Sequence, residues 1–464
     1  MKKTEFPHPV LALREAGAVA VARMRLLAPS GPAVAPQATG RRAPVTKNPS
    51  TLRGGIAKGP STSSVLVVLV GVLCVLGVVM VGSASEGISI ATFGSPWSIL
   101  LREGLWMAVG LLVFAFVSRV DYRRWRRFSV PVLVVAFALL LIVLAPGVGL
   151  SAGGASRWVG VGQLRLQPSE LMKLALVLFG ADLVARRQPR PGNHRRVIGP
   201  LAIVAVGAGG LIMLQPDMGT ALVMACITMA LLFASGISMR PVLKVLGGGA
   251  AIAVVVAFAE PYRRQRLFSF LNPSAHASGS GYQVLQSLIG LGSGHLFGLG
   301  LGGGWNQFGS LPNAHTDFIY SVIGEELGIV GAVFVLALLV ALAWFGLRAA
   351  EQAPDRFGAM LGIGLVAWIA AETFINIGAV VGLLPVTGIP LPFVSYGGSS
   401  LVITLGAAGM LVSIARASNN ATPKSAAASS KPGRAARLVH PAARTPRPVA
   451  GSAPRLRARL DGGP

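Results

Sequence analysis

The chain has 464 residues, 53% of them hydrophobic and only 12% charged, with a mean hydropathy of +0.66 and 59 glycines. That balance excludes an ordinary soluble domain, in which about a quarter of residues are charged, and it excludes a disordered chain, which lacks apolar side chains. The formal charge of +25 would point to nucleic acid in a soluble protein, but the positions of the charges exclude that partner.

Residues 1–60 hold ten basic and two acidic side chains, and residues 416–464 hold ten basic and one acidic, so the two ends carry +17 of the +25. Both are rich in Ala, Pro, Ser and Gly without an apolar period. The expectation is two disordered, basic cytoplasmic tails, 1–62 and 418–464, flanking a membrane domain at 63–417. The tails read as solvated, orientation-setting segments, with attraction to an anionic leaflet as the alternative. The first 30 residues lack an uninterrupted apolar core and a small-residue cleavage site, so the first span is expected to anchor the chain. Cys74 and Cys226 fall inside apolar runs and read as small hydrophobes.

A spanning helix needs roughly 20 mostly apolar residues. Ten runs qualify in chain order: 65–83, 104–118, 129–146, 168–185, 197–214, 219–236, 241–259, 329–347, 357–381 and 398–415. The predicted fold is an all-α polytopic membrane protein, a bundle of about ten transmembrane helices with a long extracytoplasmic loop between spans 7 and 8. An even count puts both ends on one side, together with the loops at 119–127, 186–196, 240–244 and 348–356. That side then carries 34 of the 41 basic residues, and the positive-inside rule makes it cytoplasmic. Residues 260–317 form the long outer loop, where function is expected to sit.

Ionisable groups in or beside apolar spans are costly and therefore functional candidates. Arg157 and Trp158 lie on an outer loop that runs through Gln167 and Pro168 into span 4, where Glu170 and Lys173 form an i,i+3 pair. They fit either a structural ion pair with Trp158 as interfacial anchor, or a diphosphate site. Asp217, in QPDMGT (215–220), fits a helix cap. In LPNAHTDFIYSVIGEELG (311–328), Thr316 is placed to cap the next helix, with Asp317 in its first turn. Capping leaves the neighbouring His315 and the pair Glu325 and Glu326 unexplained. Asp182 lies beside Arg186 and Arg187 and reads as an interfacial charge. In GLLPVTGIPLPFVSYGGSS (382–400), three prolines suggest a re-entrant hairpin packed on the bundle; exposed Ser399 and Ser400 hydroxyls could instead hold an anion.

These stretches, with SPWSILLREGLW (95–106), DYRRWRR (121–127), RLFSFLNP (266–273) and GSGYQ (279–283), occur in an order that resembles the shape, elongation, division and sporulation (SEDS) family, the FtsW and RodA type. The likeness covers roughly 65–415 and is nearer the division branch than the elongation branch. It implies a ten-helix glycosyltransferase that polymerises lipid II, the undecaprenyl-diphosphate-linked precursor, with a class B penicillin-binding transpeptidase and other divisome membrane proteins as partners. Asp317 matches the family's catalytic aspartate, and Arg157, Trp158, Glu170, Lys173 and Asp217 match its other motif positions. Asn313 stands where many relatives have a second carboxylate, so no such group can be required here. His315, Glu325 and Ser399 complete the expected substrate surroundings.

The chemistry fits these residues. Glycosyl transfer needs a base near the acceptor hydroxyl and cations near the leaving diphosphate. Asp317 is the expected base, with single-displacement inversion. No cofactor is demanded, though Asp317 could alternatively hold a divalent cation against the diphosphate. Competing readings are an elongation polymerase, a precursor flippase, which would place polar groups at mid-membrane in both halves, and a non-catalytic scaffold for the transpeptidase.

Overall fold

The computed structural model describes residues 60–147, 149–152, 155–161, 164–187, 195–237, 281–306 and 310–429, with isolated positions at 240, 243, 247–249 and 270. The expected seventh span, 241–259, the tails before residue 60 and after residue 429, and the RLFSFLNP stretch fall largely outside them.

Helix α1 runs Thr62–Phe93; the Ser61 hydroxyl caps it, accepting the Ser64 N–H at 3.2 Å, and Gly94 closes it with φ 71°. It outruns the expected span because SASEGISIATF continues the helix past the apolar core. Helix α2 (Ser98–Arg119) leads into a 3₁₀ turn over Tyr122–Phe128, and α3 follows at Ser129–Leu144. The outer stretch expected as irregular loop folds into a small antiparallel meander, β1 (Leu150–Ala152), β2 (Ala155–Val161) and β3 (Leu164–Leu166). Trp158 pairs in register with Leu150, and Val159 with Leu166. Helix α4 (Pro168–Arg186) starts on the proline, whose missing N–H is no loss in a first turn. Helices α5 (Arg195–Leu214), α6 (Met218–Ala234), α7 (Tyr282–Ser293), α8 (Ile319–Glu351), α9 (Arg356–Val380) and α10 (Ser399–Ser429) follow.

Nine of the ten expected spans are therefore helical. Seven helical segments among the described residues are long and apolar enough to cross a membrane; α6 is apolar but shorter, at 17 residues. Helix α4, 19 residues long, carries Glu170, Lys173 and Asp182 inside its length, and all three are buried. Large apolar side chains such as Val75, Leu105, Leu112, Phe116, Val134 and Ile203 face outward. In water such a band would be an aggregation surface; around a bundle of this composition it is a lipid face. The chain is a multi-pass, all-α membrane protein.

Helix α9 lies at the centre, packed on α4, α6 and α8, with Trp368 fully enclosed. Helix α8 is broken at Gly328 (φ 69°, ψ −170°), which explains why its apolar run only begins at residue 329. The preceding segment fills the gap. Leu299 and Gly300 donate N–H groups to the Glu325 and Glu326 carbonyls, both at 3.0 Å, while Ile329 and Val330 donate to the His295 and Leu296 carbonyls at 3.0 and 3.2 Å. A Cβ at position 328 would run into the Leu296 carbonyl and the Gly298 nitrogen, so two separate demands select glycine there.

Candidate functional site

The connection between α9 and α10, residues 381–398, has no regular secondary structure yet is largely buried: Ile389, Leu391, Phe393, Val394 and Ser395 are all enclosed. A buried loop must find partners for its backbone polar groups, and here the partners come from the segments singled out in the sequence. The Asn376 amide on α9 donates to the Ile389 carbonyl at 2.7 Å and to the Asp317 carbonyl at 2.8 Å. The Tyr396 N–H donates to the His315 carbonyl at 3.0 Å, and the two rings meet edge-on with centroids 5.6 Å apart. Gly219, in the first turn of α6, lies directly against Thr387 and Ile389.

Asp317 belongs to a run of turns before α8, not to the helix. The helix begins at Ile319, its N-terminal residue Phe318 supplies no side-chain cap, and the Thr316 hydroxyl donates to the Asn313 carbonyl at 3.1 Å. The expected Thr316 cap with Asp317 in the first turn is therefore corrected. The Asp317 carbonyl is held by Asn376, and the residue is partly buried. A Cβ on Gly388 would stand 3.5 Å from Oδ2, and Gly388 has φ 75°. The loop thus presents bare backbone to the carboxylate. Burial pushes the neighbouring His315 imidazole down from 6.5 to about 4, so it is neutral at physiological pH.

Asp217 caps α6 as its spacing implied: Oδ1 accepts the Thr220 N–H at 3.1 Å and Oδ2 the Thr220 hydroxyl at 2.9 Å. The Gln167 amide also reaches Oδ2 at 3.4 Å. Arg157, on β2, donates through Nε to the Gln215 carbonyl at 3.0 Å and through Nη2 to the Pro216 carbonyl. It thereby fixes the turn that delivers Asp217. Trp158 beside it is half-buried.

Lys173 takes the structural ion-pair reading and not the diphosphate one. Its ammonium lies between the carboxylates of Glu170, at 2.8 Å, and Glu372 on α9, with all three side chains at 3% exposure or less. A lysine so enclosed is shared by two carboxylates and is turned away from a diphosphate. The second Glu170 oxygen accepts the Ser400 hydroxyl at 2.9 Å. Ser399 and Ser400, expected to be exposed, are buried, and the Ser399 oxygen accepts the Gln167 N–H at 3.2 Å. The N–H groups of Gly397 and Gly398 face the carboxylate of Glu103, a buried acid on α2 that the sequence reading passed over. Its signal was its place at the very edge of an apolar run. Asn376 was also missed; an amide four residues after Glu372 in an apolar helix was the available clue.

The loop thus meets Glu103, His315 and Asp317 directly. The first turn of α10 takes up Gln167 and Glu170 through Ser399 and Ser400, Asp217 joins through Gln167, and Arg157 and Lys173 hold the turn before Asp217 and Glu170 in place. Glu325 and Glu326 are not in that group. Glu325 accepts the N–H groups of Trp305 and Asn306 at 2.8 and 3.4 Å, and Glu326 accepts the Ser83 hydroxyl at 2.7 and 2.8 Å. Both hold the segment before the helix break. Among the described residues no three His, Cys, Asp or Glu side chains cluster as a metal site.

Comparison with known proteins covers this whole arrangement. The family model described as "Cell cycle protein", for FtsW, RodA and SpoVE, matches residues 64–420. The chain is 40% identical over 361 residues to stage V sporulation protein E of Bacillus subtilis, spanning 77% of this chain and 98% of that protein. It is also 40% identical over 354 residues to the "Probable peptidoglycan glycosyltransferase FtsW" of Coxiella burnetii, spanning 75% and 94%. Among solved structures, a chain from a peptidoglycan synthase complex that coordinates polymerization and crosslinking superposes with TM-score 0.64 at 29% identity, covering 76% of this chain and 96% of that one. The rod shape determining protein RodA of Thermus thermophilus superposes with TM-score 0.57 at 29% identity, covering 76% and 95%.

Proposed function

The chain belongs to the FtsW/RodA/SpoVE family of cell cycle proteins, and from that premise we propose that it is a peptidoglycan glycosyltransferase joining lipid II units into glycan strands at the outer face of the cytoplasmic membrane, in septal wall synthesis. The concentration of 34 of the 41 basic residues on the side of the termini supports cytoplasmic ends and an outward-facing site. Similarity to a synthase complex that polymerises and crosslinks supports a class B penicillin-binding transpeptidase as partner, within an assembly of other divisome membrane proteins.

The observation that carries this reading is the meeting of the motif segments at the 381–398 loop and the first turn of α10, with the partly buried Asp317 beside the backbone of Gly388. In the proposed step an acceptor hydroxyl oxygen attacks the anomeric carbon of the donor sugar, the bond from that carbon to the diphosphate oxygen breaks, and the hydroxyl proton passes to Asp317. Positive charge builds on the ring and negative charge on the departing diphosphate. A single displacement inverts the anomeric centre. Arg157 uses Nε and one Nη2 hydrogen on carbonyls; its other N–H groups are the proposed contacts for the diphosphate. Lys173 acts as a positioning residue, tying α4 to α9 through Glu170 and Glu372. His315, Trp158, Asp217 and Ser399 shape the walls, while Glu325 holds the segment before the helix break. In an alternative role, Asp317 would carry a divalent cation that neutralises the leaving group.

The test is polymerisation of lipid II by full-length protein reconstituted with its transpeptidase. Asp317→Asn should slow strand growth by about 100-fold or more while still binding the transpeptidase, and growth at the wild-type rate would remove the base assignment. Arg157→Ala should likewise stall turnover. Chelation that abolishes wild-type activity, reversed by added magnesium, would favour the cation role over simple base catalysis.

A further inference from the structure

At the end of the bundle away from the site, the DYRRWRR turn carries four arginines, of which Arg127 donates to the Arg124 carbonyl at 3.3 Å. Arg123 donates to Asp355 at 2.7 Å and Arg126 donates to Asp182 at 2.7 Å; both are committed to holding the turn against neighbouring helices. Arg124 is exposed, and among the described residues its side chain has no hydrogen-bond or ion-pair partner. The same is true of Arg119, in the last turn of α2. Arg119 and Arg124 line one cavity of about 430 Å³, together with the apolar Leu112, Ala115, Phe116 and Val120. Asp121 also lines it, but its carboxylate accepts the Arg123 N–H at 2.9 Å and stands 3.9 Å from the Arg123 guanidinium, so the local balance stays positive.

Leu112 and Phe116 are 72% and 62% exposed and lie about two turns and one turn, respectively, up α2 from Arg119. The cavity therefore has a cationic floor at the membrane edge and an apolar wall rising along the lipid-facing side of a spanning helix. We infer that this slot binds an anionic phospholipid, the phosphate between Arg119 and Arg124 and one acyl chain along Leu112 and Phe116. An arginine pair suits a phosphodiester because guanidinium donors match its oxygens in pairs, and a basic recess beside membrane helices is a site for acidic headgroups. A free phosphate would use the same floor, but the apolar wall adds contact only for a molecule with a hydrocarbon chain. The ligand belongs to the leaflet on the side of the arginine turn, away from the Asp317 site.

Native mass spectrometry of the full-length protein in detergent, titrated with dioleoyl phosphatidylglycerol, dioleoyl phosphatidylcholine or inorganic phosphate, tests this. Phosphatidylglycerol should be retained well above phosphatidylcholine, and Arg119→Gln/Arg124→Gln should weaken that retention by about thirtyfold, as expected for two basic side chains at headgroup level. Arg195→Gln/Arg348→Gln, which lowers the net charge equally elsewhere, should leave it unchanged. Phe116→Ser should weaken phosphatidylglycerol binding with the charge intact. Equal losses in both arginine pairs would mean that overall charge governs binding and would overturn the slot. Displacement of the lipid by inorganic phosphate at matched concentration, or retention unaffected by Phe116→Ser, would overturn the lipid assignment.

Discussion

The two ends of the bundle handle charge in opposite ways. At the arginine end, Asp182 is shared by Arg126 and Arg186, each at 2.7 Å, and the arginines are 41% and 59% exposed. Asp355 caps α9 through the Gly358 N–H at 2.9 Å while receiving the Tyr122 hydroxyl and Arg123. These pairs keep one member in water, so the desolvation cost is small and so is the gain. At the site end, Glu170, Lys173 and Glu372 are almost wholly enclosed. Removing three charges from water costs more than an apolar trio would, so such a cluster is weak evidence for stability and better evidence that a geometry is being held. The contrast teaches that the protein anchors itself cheaply on one face and accepts an expensive arrangement on the face where Asp317 lies.

The sharpest way to break that contrast is to empty the enclosed cluster. Lys173→Met should lower stability by about 3–5 kcal/mol, because two facing carboxylates lose the cation between them; thermal unfolding in detergent measures it, and the double variant Lys173→Met/Glu372→Gln should recover part of the loss. A cost below that of a surface pair would show the cluster to be wetter than its burial implies. Next in size is Asn376→Leu, which leaves the carbonyls of Asp317 and Ile389 without their donor. About 1–3 kcal/mol should be lost for the orphaned groups, and polymerisation should fall while partner binding persists.

A smaller effect is expected from pH at the site end. His315 has its pKa lowered by burial from 6.5 to about 4, so it contributes stability that is complete above 6.5 and is lost as pH falls toward 4. His315→Gln should flatten the unfolding temperature between those limits, and an unchanged slope would place the titration elsewhere. At the arginine end Asp355 shifts the same way. Burial would raise it, but hydrogen bonds from Tyr122, Gly358 and Arg123 prevail and hold it below 3.8, so its contribution disappears only in stronger acid. Least of all, Arg126→Ala should cost only about 0.2–1 kcal/mol, since Asp182 keeps Arg186 and the Ser129 hydroxyl at 3.1 Å. A loss as large as that of Lys173→Met would erase the distinction between the two ends.

What could be read from the chain alone follows the same physical divide. Hydropathy located nine helices because lipid leaves the backbone no other choice, and it placed the start of the eighth span at 329, one residue past the break at Gly328. Asp217 was legible as a cap because its partner, Thr220, is three residues away. Lys173 was only half legible: Glu170 is its i,i+3 neighbour, but Glu372 lies 199 positions later, and no local pattern announces it. The same distance hid the role of Asn376 and the burial of Ser399. The strands at 150–166 were missed because they are short and pair only with each other.

The breach in α8 has a mechanical meaning. Four backbone bonds sew residues 295–300 into the gap on both sides of Gly328, and Ser83 of α1 adds a stitch through Glu326 and the Gly302 N–H at 3.1 Å. Peeling that strip away would break four backbone hydrogen bonds at once. Despite its glycines, this part of the connection is a fixed inlay, so any swinging gate beside Asp317 has to be hinged elsewhere.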